Sequence, residues 1–257
     1  MHPMTATDSV LVRNRVPEVT LVFWIIKVLS TTVGETGADY LAVNAGLGPL
    51  VTDAIMGTLL ALALALQLRN GRYVPWTYWL TVVLLSVVGT QLTDFLTDKL
   101  GVSLYASTAV FSAALAVAFA VWYSCERTLS IQSIVTRRRE LFYWVVILLT
   151  FALGTAAGDL ATEALGLGFR IGVMVFCGLI FAIFAAYRFG ANPVLTFWLA
   201  YILTRPLGAS LGDLLSQSTE YGGIGWGNIN TSAAFLAVIA ALVISISRSR
   251  TPAPIIP

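Results

Sequence analysis

WIIKVLSTTVGETGAD, residues 24–39, is the first of four copies of one pattern that decides how this chain folds. In each copy a tryptophan is followed ten residues later by glycine and fifteen residues later by aspartate. The other copies read WLTVVLLSVVGTQLTD (79–94), WVVILLTFALGTAAGD (144–159) and WLAYILTRPLGASLGD (198–213). Their tryptophans lie 55, 65 and 54 residues apart, so we interpret the chain as four tandem repeats.

The repeats share three kinds of marker residue. The tryptophans that mark the repeats are Trp24, Trp79, Trp144 and Trp198. A short residue also stands just before each aspartate, so every copy contains a small-xxx-small pair that lets helix backbones approach closely. We therefore expect six glycines to serve helix packing: Gly34, Gly89, Gly154, Gly158, Gly208 and Gly212.

The composition places the chain in a membrane. Its mean hydropathy is +0.84, with 58% hydrophobic and 11% charged residues, whereas soluble domains carry about 25% charged residues. Because about 20 apolar residues cross the hydrocarbon core, the apolar runs predict an all-α bundle of eight transmembrane helices, two per repeat. The expected spans are 18–43, 50–68, 75–97, 103–123, 141–164, 169–189, 193–216 and 229–247. Pro206 lies inside the seventh span and is expected to kink that helix or free a carbonyl.

The charges at the span ends predict the topology. The arginines between and outside the spans lie almost entirely on one side, while the other side has only Lys99 and Arg170. The positive-inside rule then places both termini in the cytoplasm, so the four repeats enter the membrane in parallel. We expect a cytoplasmic segment 1–17, a membrane domain 18–247 and a disordered cytoplasmic tail 248–257. The repeats are expected at about 18–70, 74–125, 139–190 and 193–247.

Each odd-numbered span carries one polar stripe on the face of its tryptophan. In the first span this stripe contains Thr31, Glu35 and Asp39, with Lys27 at its edge. We expect these four helices to form an inner ring and the more uniformly apolar even-numbered helices to surround it. Carboxylates inside a span are costly and are functional-site candidates by default. The predicted cation or proton site is therefore formed by Asp39, Asp94, Asp159, Asp213 and Glu35.

Two basic residues in the spans, Lys27 and Arg205, are expected to compensate part of this negative charge. An all-oxygen ligand set suits hard cations such as Mg²⁺, Mn²⁺ and Ca²⁺, or protons. Several alternatives stay open: the aspartates as hydrogen-bonding groups between repeats, the tryptophans as interfacial anchors, and Lys27 as a structural partner of Glu35 or another acid. The arginines at 137–139 and Glu126 are expected in a solvated cytoplasmic loop.

With these motifs, residues 18–247 resemble a family of uncharacterised bacterial membrane-anchored proteins. That family is built from tandem two-helix repeats of unknown function, with one tryptophan per repeat. The resemblance implies an eight-helix protein of the bacterial inner membrane, and it implies no activity or catalytic residues. The four copies differ from one another, since only the first has glutamate at the position of Glu35 and only the fourth has Arg205 and Pro206.

The functional prediction is a transporter of a small cation, either a divalent metal or a proton-coupled ion. The alternative is a structural or sensory membrane protein in which the Gly/Asp motifs serve helix packing and a partner meets the 126–140 loop. An intramembrane enzyme is the weakest hypothesis, because no Ser/His pair, HExxH motif or clustered metal ligands are present in the sequence. His2 is the one histidine, and we expect no cofactor. The expected partners are the lipid bilayer and a small cation, with no nucleic acid, and the oligomeric state is left open.

Overall fold

The structure, a computed structural model, describes residues 14–43 and 49–249. Within these residues it is all-helical, with eight long helices and no strand. The helices are α1 (Leu21–Val43), α2 (Pro49–Arg69), α3 (Pro75–Asp94), α4 (Leu104–Glu126), α5 (Arg137–Asp159), α6 (Gly168–Arg188), α7 (Pro193–Ser216) and α8 (Asn228–Ser249). All eight are long and apolar enough to cross a membrane, so the predicted fold class is confirmed.

Local sequence signals explain where these helices begin. Pro75 and Pro193 lie at the first positions of α3 and α7, where a missing N–H costs no helical hydrogen bond. The Asn192 side chain accepts hydrogen bonds from the N–H groups of Val194 and Leu195, which caps α7. The structure gives α7 as one helix from Pro193 to Ser216 with Pro206 inside it.

The odd-numbered helices form a four-membered inner ring. Contacts join α1 to α3, α3 to α5, α5 to α7 and α7 back to α1. In the spans of these helices 61, 44, 61 and 67% of the residues are buried, whereas the even-numbered spans are 22, 17, 11 and 17% buried. The even-numbered helices therefore surround the ring and leave most of their apolar surface for lipid, as the sequence predicts.

Each outer helix packs chiefly on the inner helix of the following repeat. Helix α2 packs on α3, α4 on α5, α6 on α7, and α8 on α1, whereas α1 and α2 of the same repeat share few contacts. The last repeat therefore covers the first, and the ring closes on itself. An even number of spans also places both ends of the described chain on the same side of the bundle. That this side is cytoplasmic remains a prediction.

We call the two ends of the bundle the Trp end and the Asp end, after the repeated residues near each. Aromatic rings fill the Trp end, and three of the four tryptophans are almost fully buried there, with Trp79 2% exposed. Trp79 packs edge-on against Tyr78, and Trp198 packs edge-on against Tyr201. The interpretation of the tryptophans as interfacial anchors is therefore wrong for these three, because their rings are buried against other aromatic side chains of the core.

The Trp end is also covered by the chain that precedes α1. Asn14 and Val16 are buried, the backbone N–H of Arg15 donates to the carbonyl of Ile134 at 2.9 Å, and Arg15 forms an ion pair with Glu140 at 2.7 Å. The predicted segment 1–17 thus ends in residues packed into the bundle, while residues 1–13 lie outside the described part of the chain. Of the predicted tail 248–257, residues 250–257 also lie outside it.

Candidate functional site

The repeated glycines lie at the four contacts between inner helices. Each one faces the residue seven positions after the tryptophan of the next repeat: Gly34 faces Ser86, Gly89 faces Phe151, Gly154 faces Arg205 and Gly208 faces Thr31. A Cβ atom at any of these positions would lie within 3.0 Å of that neighbour. Gly158 and Gly212, one turn further on, face Pro206 and Glu35 at 3.3 Å from an added Cβ. This cyclic set of close approaches holds the polar faces of the four helices toward one centre.

The four repeated aspartates surround a central pair of opposite charges. Each of their carboxylates interacts electrostatically with both Glu35 and Arg205. Carboxylate oxygens of Glu35, Asp39 and Asp213 lie within 4.8 Å of one another, a spacing that could hold a metal ion. Asp94 and Asp159 complete the circle from α3 and α5. The structure thus brings together all five carboxylates that the sequence proposed.

Arg205 reaches across the ring from α7. Its guanidinium forms an ion pair with Glu35 of α1 at 2.5 Å and donates to the carbonyl oxygen of Thr31 at 3.3 Å. It also donates a short hydrogen bond to the hydroxyl of Thr90 in α3, the helix diagonally opposite. Because Arg205 is fully buried and binds two other helices, it connects three of the four repeats at the centre.

Lys27 is placed differently from the expectation that it pairs with Glu35 or another acid. It is 1% exposed, and its ammonium group lies over the rings of Phe151 and Tyr201, at 4.1 and 4.3 Å from their centroids. Among the described residues no carboxylate or hydrogen-bond acceptor pairs with its Nζ atom. The expected structural pairing is wrong because Arg205 already occupies Glu35, and two aromatic faces take the place of an acid.

The aspartate carboxylates are poorly satisfied for groups inside a membrane span. Asp39, Asp94 and Asp159 are half-buried and Asp213 is 8% exposed. Within residues 14–43 and 49–249, no hydrogen bond or ion pair joins any of these four carboxylates to a neighbour. The interpretation of the aspartates as hydrogen-bonding groups between repeats therefore gains no support, whereas the glycines account for the helix contacts.

Two of the aspartates stand at a change of helix type. Asp94 and Asp159 are the last α-helical residues before π-helical turns at Phe95–Lys99 and Leu160–Ala164. Such turns are rare and occur frequently at functional sites. They add two further carboxylates near the circle, since Asp98 interacts electrostatically with Asp94, and Glu163 with Asp159. The signal in the sequence is the shared pattern D-x-x-T-[DE] at 94–98 and 159–163.

A second polar cluster, at the Trp end, was missed by sequence reasoning. Glu140 is fully buried at the start of α5 and accepts hydrogen bonds from Arg15 at 2.7 Å and from the Gln67 amide at 3.1 Å. Nearby, Glu126 pairs with Arg139 at 2.8 Å, and Arg139 also donates to the carbonyl of Ser133. The 126–140 loop is thus folded onto the bundle, with Ile131 and Ile134 buried, and is only partly the solvated loop that was expected.

Fold and site together define the class: a multi-pass membrane protein with four repeats in a closed ring around an interior charged cluster. Comparison with family models supports this, because the model described as Repeat of Unknown Function (DUF347) matches four times, at 22–73, 77–128, 142–190 and 196–251. The chain belongs to this repeat family. No curated protein matches the chain, and no solved structure matches it either.

Proposed function

We propose that this protein transports a small cation across the membrane through the ring of carboxylates at the Asp end. The observation that carries the proposal is the cluster of Glu35, Asp39 and Asp213, whose carboxylate oxygens lie within 4.8 Å of one another. Glu35 pairs with Arg205, but Asp39 and Asp213 have no ionic partner among the described residues, and carboxylates of this kind in a span are functional-site candidates for binding ions or moving protons. The glycines already explain how the helices pack, so packing leaves the aspartates without a role.

The charge balance of the centre favours a cation as the ligand. Five carboxylates, one glutamate and four aspartates, lie around Arg205, and Lys27 is the second basic group inside the ring. With these seven groups ionised their formal charge is −3, and Asp98 and Glu163 add further negative charge near the circle. Carboxylate oxygens are hard ligands that suit Mg²⁺, Mn²⁺ or Ca²⁺, and a proton can take the same place. An anionic substrate would meet repulsion at this end.

The two ends of the bundle differ in a way that fits one step of a transport cycle. The aspartates are partly exposed at their end, whereas aromatic rings and residues 14–17 close the Trp end. A cation arriving from the Asp end competes with Arg205 for the Glu35 carboxylate. Release of Arg205 from Glu35 also loosens its contacts with Thr31 and Thr90, and so couples ion binding to the contacts between α1, α3 and α7.

Flux measurements on purified protein in liposomes test this proposal. Vesicles containing a divalent-sensitive or pH-sensitive dye are challenged with Mg²⁺, Mn²⁺, Ca²⁺ or a proton gradient. We expect saturable flux in the wild type and a loss of about tenfold or more in Asp213→Asn, the effect of about 1.4 kcal/mol on a transition state. The matched control is Asp53→Asn in the outer helix α2, which makes the same change away from the ring and is expected to keep wild-type flux.

Assembly is checked in parallel by gel filtration and thermal unfolding. Flux lost in a folded Asp213→Asn protein and kept in Asp53→Asn supports the proposal. Two results overturn it: a folded wild type that moves none of these ions, or an Asp213→Asn variant whose flux equals that of Asp53→Asn. An Asp213→Asn protein that does not assemble supports the structural alternative, in which the repeated aspartates hold the bundle together.

A further inference from the structure

The Lys27 side chain extends into the interior of the ring. Its helix, α1, stands diagonally opposite α5, yet the Lys27 ammonium group lies 4.1 Å from the centroid of Phe151 in α5. Since both side chains are buried and come from opposite helices, they meet inside the ring. Along α1, Lys27 precedes Glu35 by eight residues, or about 12 Å of helix. The ammonium therefore lies between the carboxylate cluster and the aromatic Trp end.

This position is unfavourable for a lysine on structural grounds. A buried charge needs a counterion or several hydrogen bonds to offset its lost hydration, and Lys27 has two aromatic faces in their place. The equivalent residues of the second and third repeats, Val82 and Ile147, are both fully buried. The fourth repeat has Tyr201 at this position, so no other repeat has a charged side chain there and packing does not require a lysine.

We propose that Lys27 is an internal gate: a tethered cation that occupies the central path and blocks uncoupled passage of ions from the carboxylate cluster to the Trp end. This inference rests on the proposed transport function and identifies Lys27 as the barrier to ion movement within it. A cation leaving the cluster toward the Trp end meets the positive charge of Lys27 at a fully buried point, between the rings of Phe151 and Tyr201. Passage requires that Lys27 leave Phe151 and Tyr201, so movement of this side chain opens the path.

The decisive variant is Lys27→Met, which keeps a long side chain and removes the charge. We expect it to raise the thermal unfolding temperature, because an apolar group replaces an unpaired buried charge. We also expect it to let a cation gradient across liposomes dissipate about tenfold faster or more, as for the loss of one barrier charge. Lys27→Arg should keep the gradient. Val82→Met, at the equivalent position of α3, should also keep the gradient, although it adds volume at a fully buried site and lowers the unfolding temperature.

A chemical test restores the charge without refolding the protein. In a Cys125→Ser, Cys177→Ser background, Lys27→Cys is expected to leak, and aminoethyl methanethiosulfonate, which attaches an ammonium group of similar length, is expected to stop the leak. A neutral methyl reagent at the same position should not. A leak that is unchanged by either reagent overturns the gate.

The outcomes also separate this inference from the transport proposal. Saturable wild-type flux with no added leak in a folded Lys27→Met protein overturns the gate alone. A wild type without flux, beside a Lys27→Met protein that leaks, overturns the transport proposal and keeps the barrier. If the Lys27→Met protein fails to assemble while the Lys27→Arg protein is stable, the charge at this position is needed for folding. That result overturns the gate.

Discussion

Replacement of Gly89 by alanine tests whether the repeated glycines set the spacing of the inner ring. A Cβ atom at Gly89 would lie 2.6 Å from the Cβ of Phe151 and 3.3 Å from the backbone nitrogen of Ala152. Favourable carbon contacts are about 3.5–4.0 Å long, so α3 and α5 would have to separate by about 1 Å. Neither neighbouring atom can rotate away, because one is a Cβ atom and the other belongs to the backbone.

Overpacking of this kind costs about 1–3 kcal/mol. Alanine gains up to about 1 kcal/mol over glycine within a helix, which offsets part of that cost. We therefore expect Gly89→Ala to lose about 1–2 kcal/mol, or about 2–8 °C in Tm for a chain of this size. Two controls carry the same substitution: Gly178→Ala, where nothing lies within 4 Å of the added atom, and Gly37→Ala, where Val87 lies at an ordinary 3.8 Å.

The assay is thermal unfolding of the purified variants in one detergent, followed by tryptophan fluorescence. Gly178→Ala and Gly37→Ala should match or exceed the wild-type Tm, while Gly89→Ala should fall below it. Equal Tm values for Gly89→Ala and Gly178→Ala would refute the reasoning, since they would show that the inner helices are not held at the distance that a missing Cβ permits.

Two further predictions concern the Trp end. Arg15→Met leaves the fully buried Glu140 with Gln67 alone and should lower the free energy of unfolding by about 3 kcal/mol in chemical denaturation. Glu126→Gln, which removes the ion pairs with Arg139 and with the exposed Arg138, should cost less than Arg15→Met, because both arginine side chains keep contact with solvent. Equal losses for the two variants would contradict the structural role assigned to Glu140. In intact cells, Cys125 at the end of α4 should react with an impermeant maleimide only after permeabilisation if the Trp end is cytoplasmic. Labelling of Cys125 without permeabilisation, in a Cys177→Ser background, would reverse the predicted orientation.

Local periodicity accounts for what could be predicted from the sequence. The repeat of tryptophan, glycine and aspartate predicts eight spans, four equivalent helices and one polar face on each, and the structure contains all three features. These features depend on the spacing of residues within one helix, and that spacing can be read directly from the sequence. The inner ring follows from them because a polar face with small residues avoids lipid and seeks other helices.

Long-range competition explains what the sequence did not show. On the face of α1 that carries Lys27, the nearest acid is Glu35. Glu35 nevertheless pairs with Arg205, which is 170 residues away in the sequence. The burial of Glu140 likewise depends on Arg15, 125 residues earlier, and on Gln67. The packing of each outer helix on the following repeat is also a property of the closed ring. The sequence pattern of a single repeat does not show whether its outer helix packs on the inner helix of the next repeat or on that of its own repeat.

Departures from the fourfold pattern point to function more directly than the pattern itself. Ring closure needs the glycines, and these are the same in all four copies. The charges are not repeated: the positions of Lys27 and Glu35 hold Val82 and Thr90 in the second repeat. Arg205 is likewise replaced by Phe151 in the third. Because α1 and α7 are neighbours, these charged residues come from the one inner contact that joins the last repeat to the first. Selection for packing alone would leave that contact like the other three. We therefore expect the ion to bind near the Glu35–Arg205 pair and to be held back by Lys27 inside the ring.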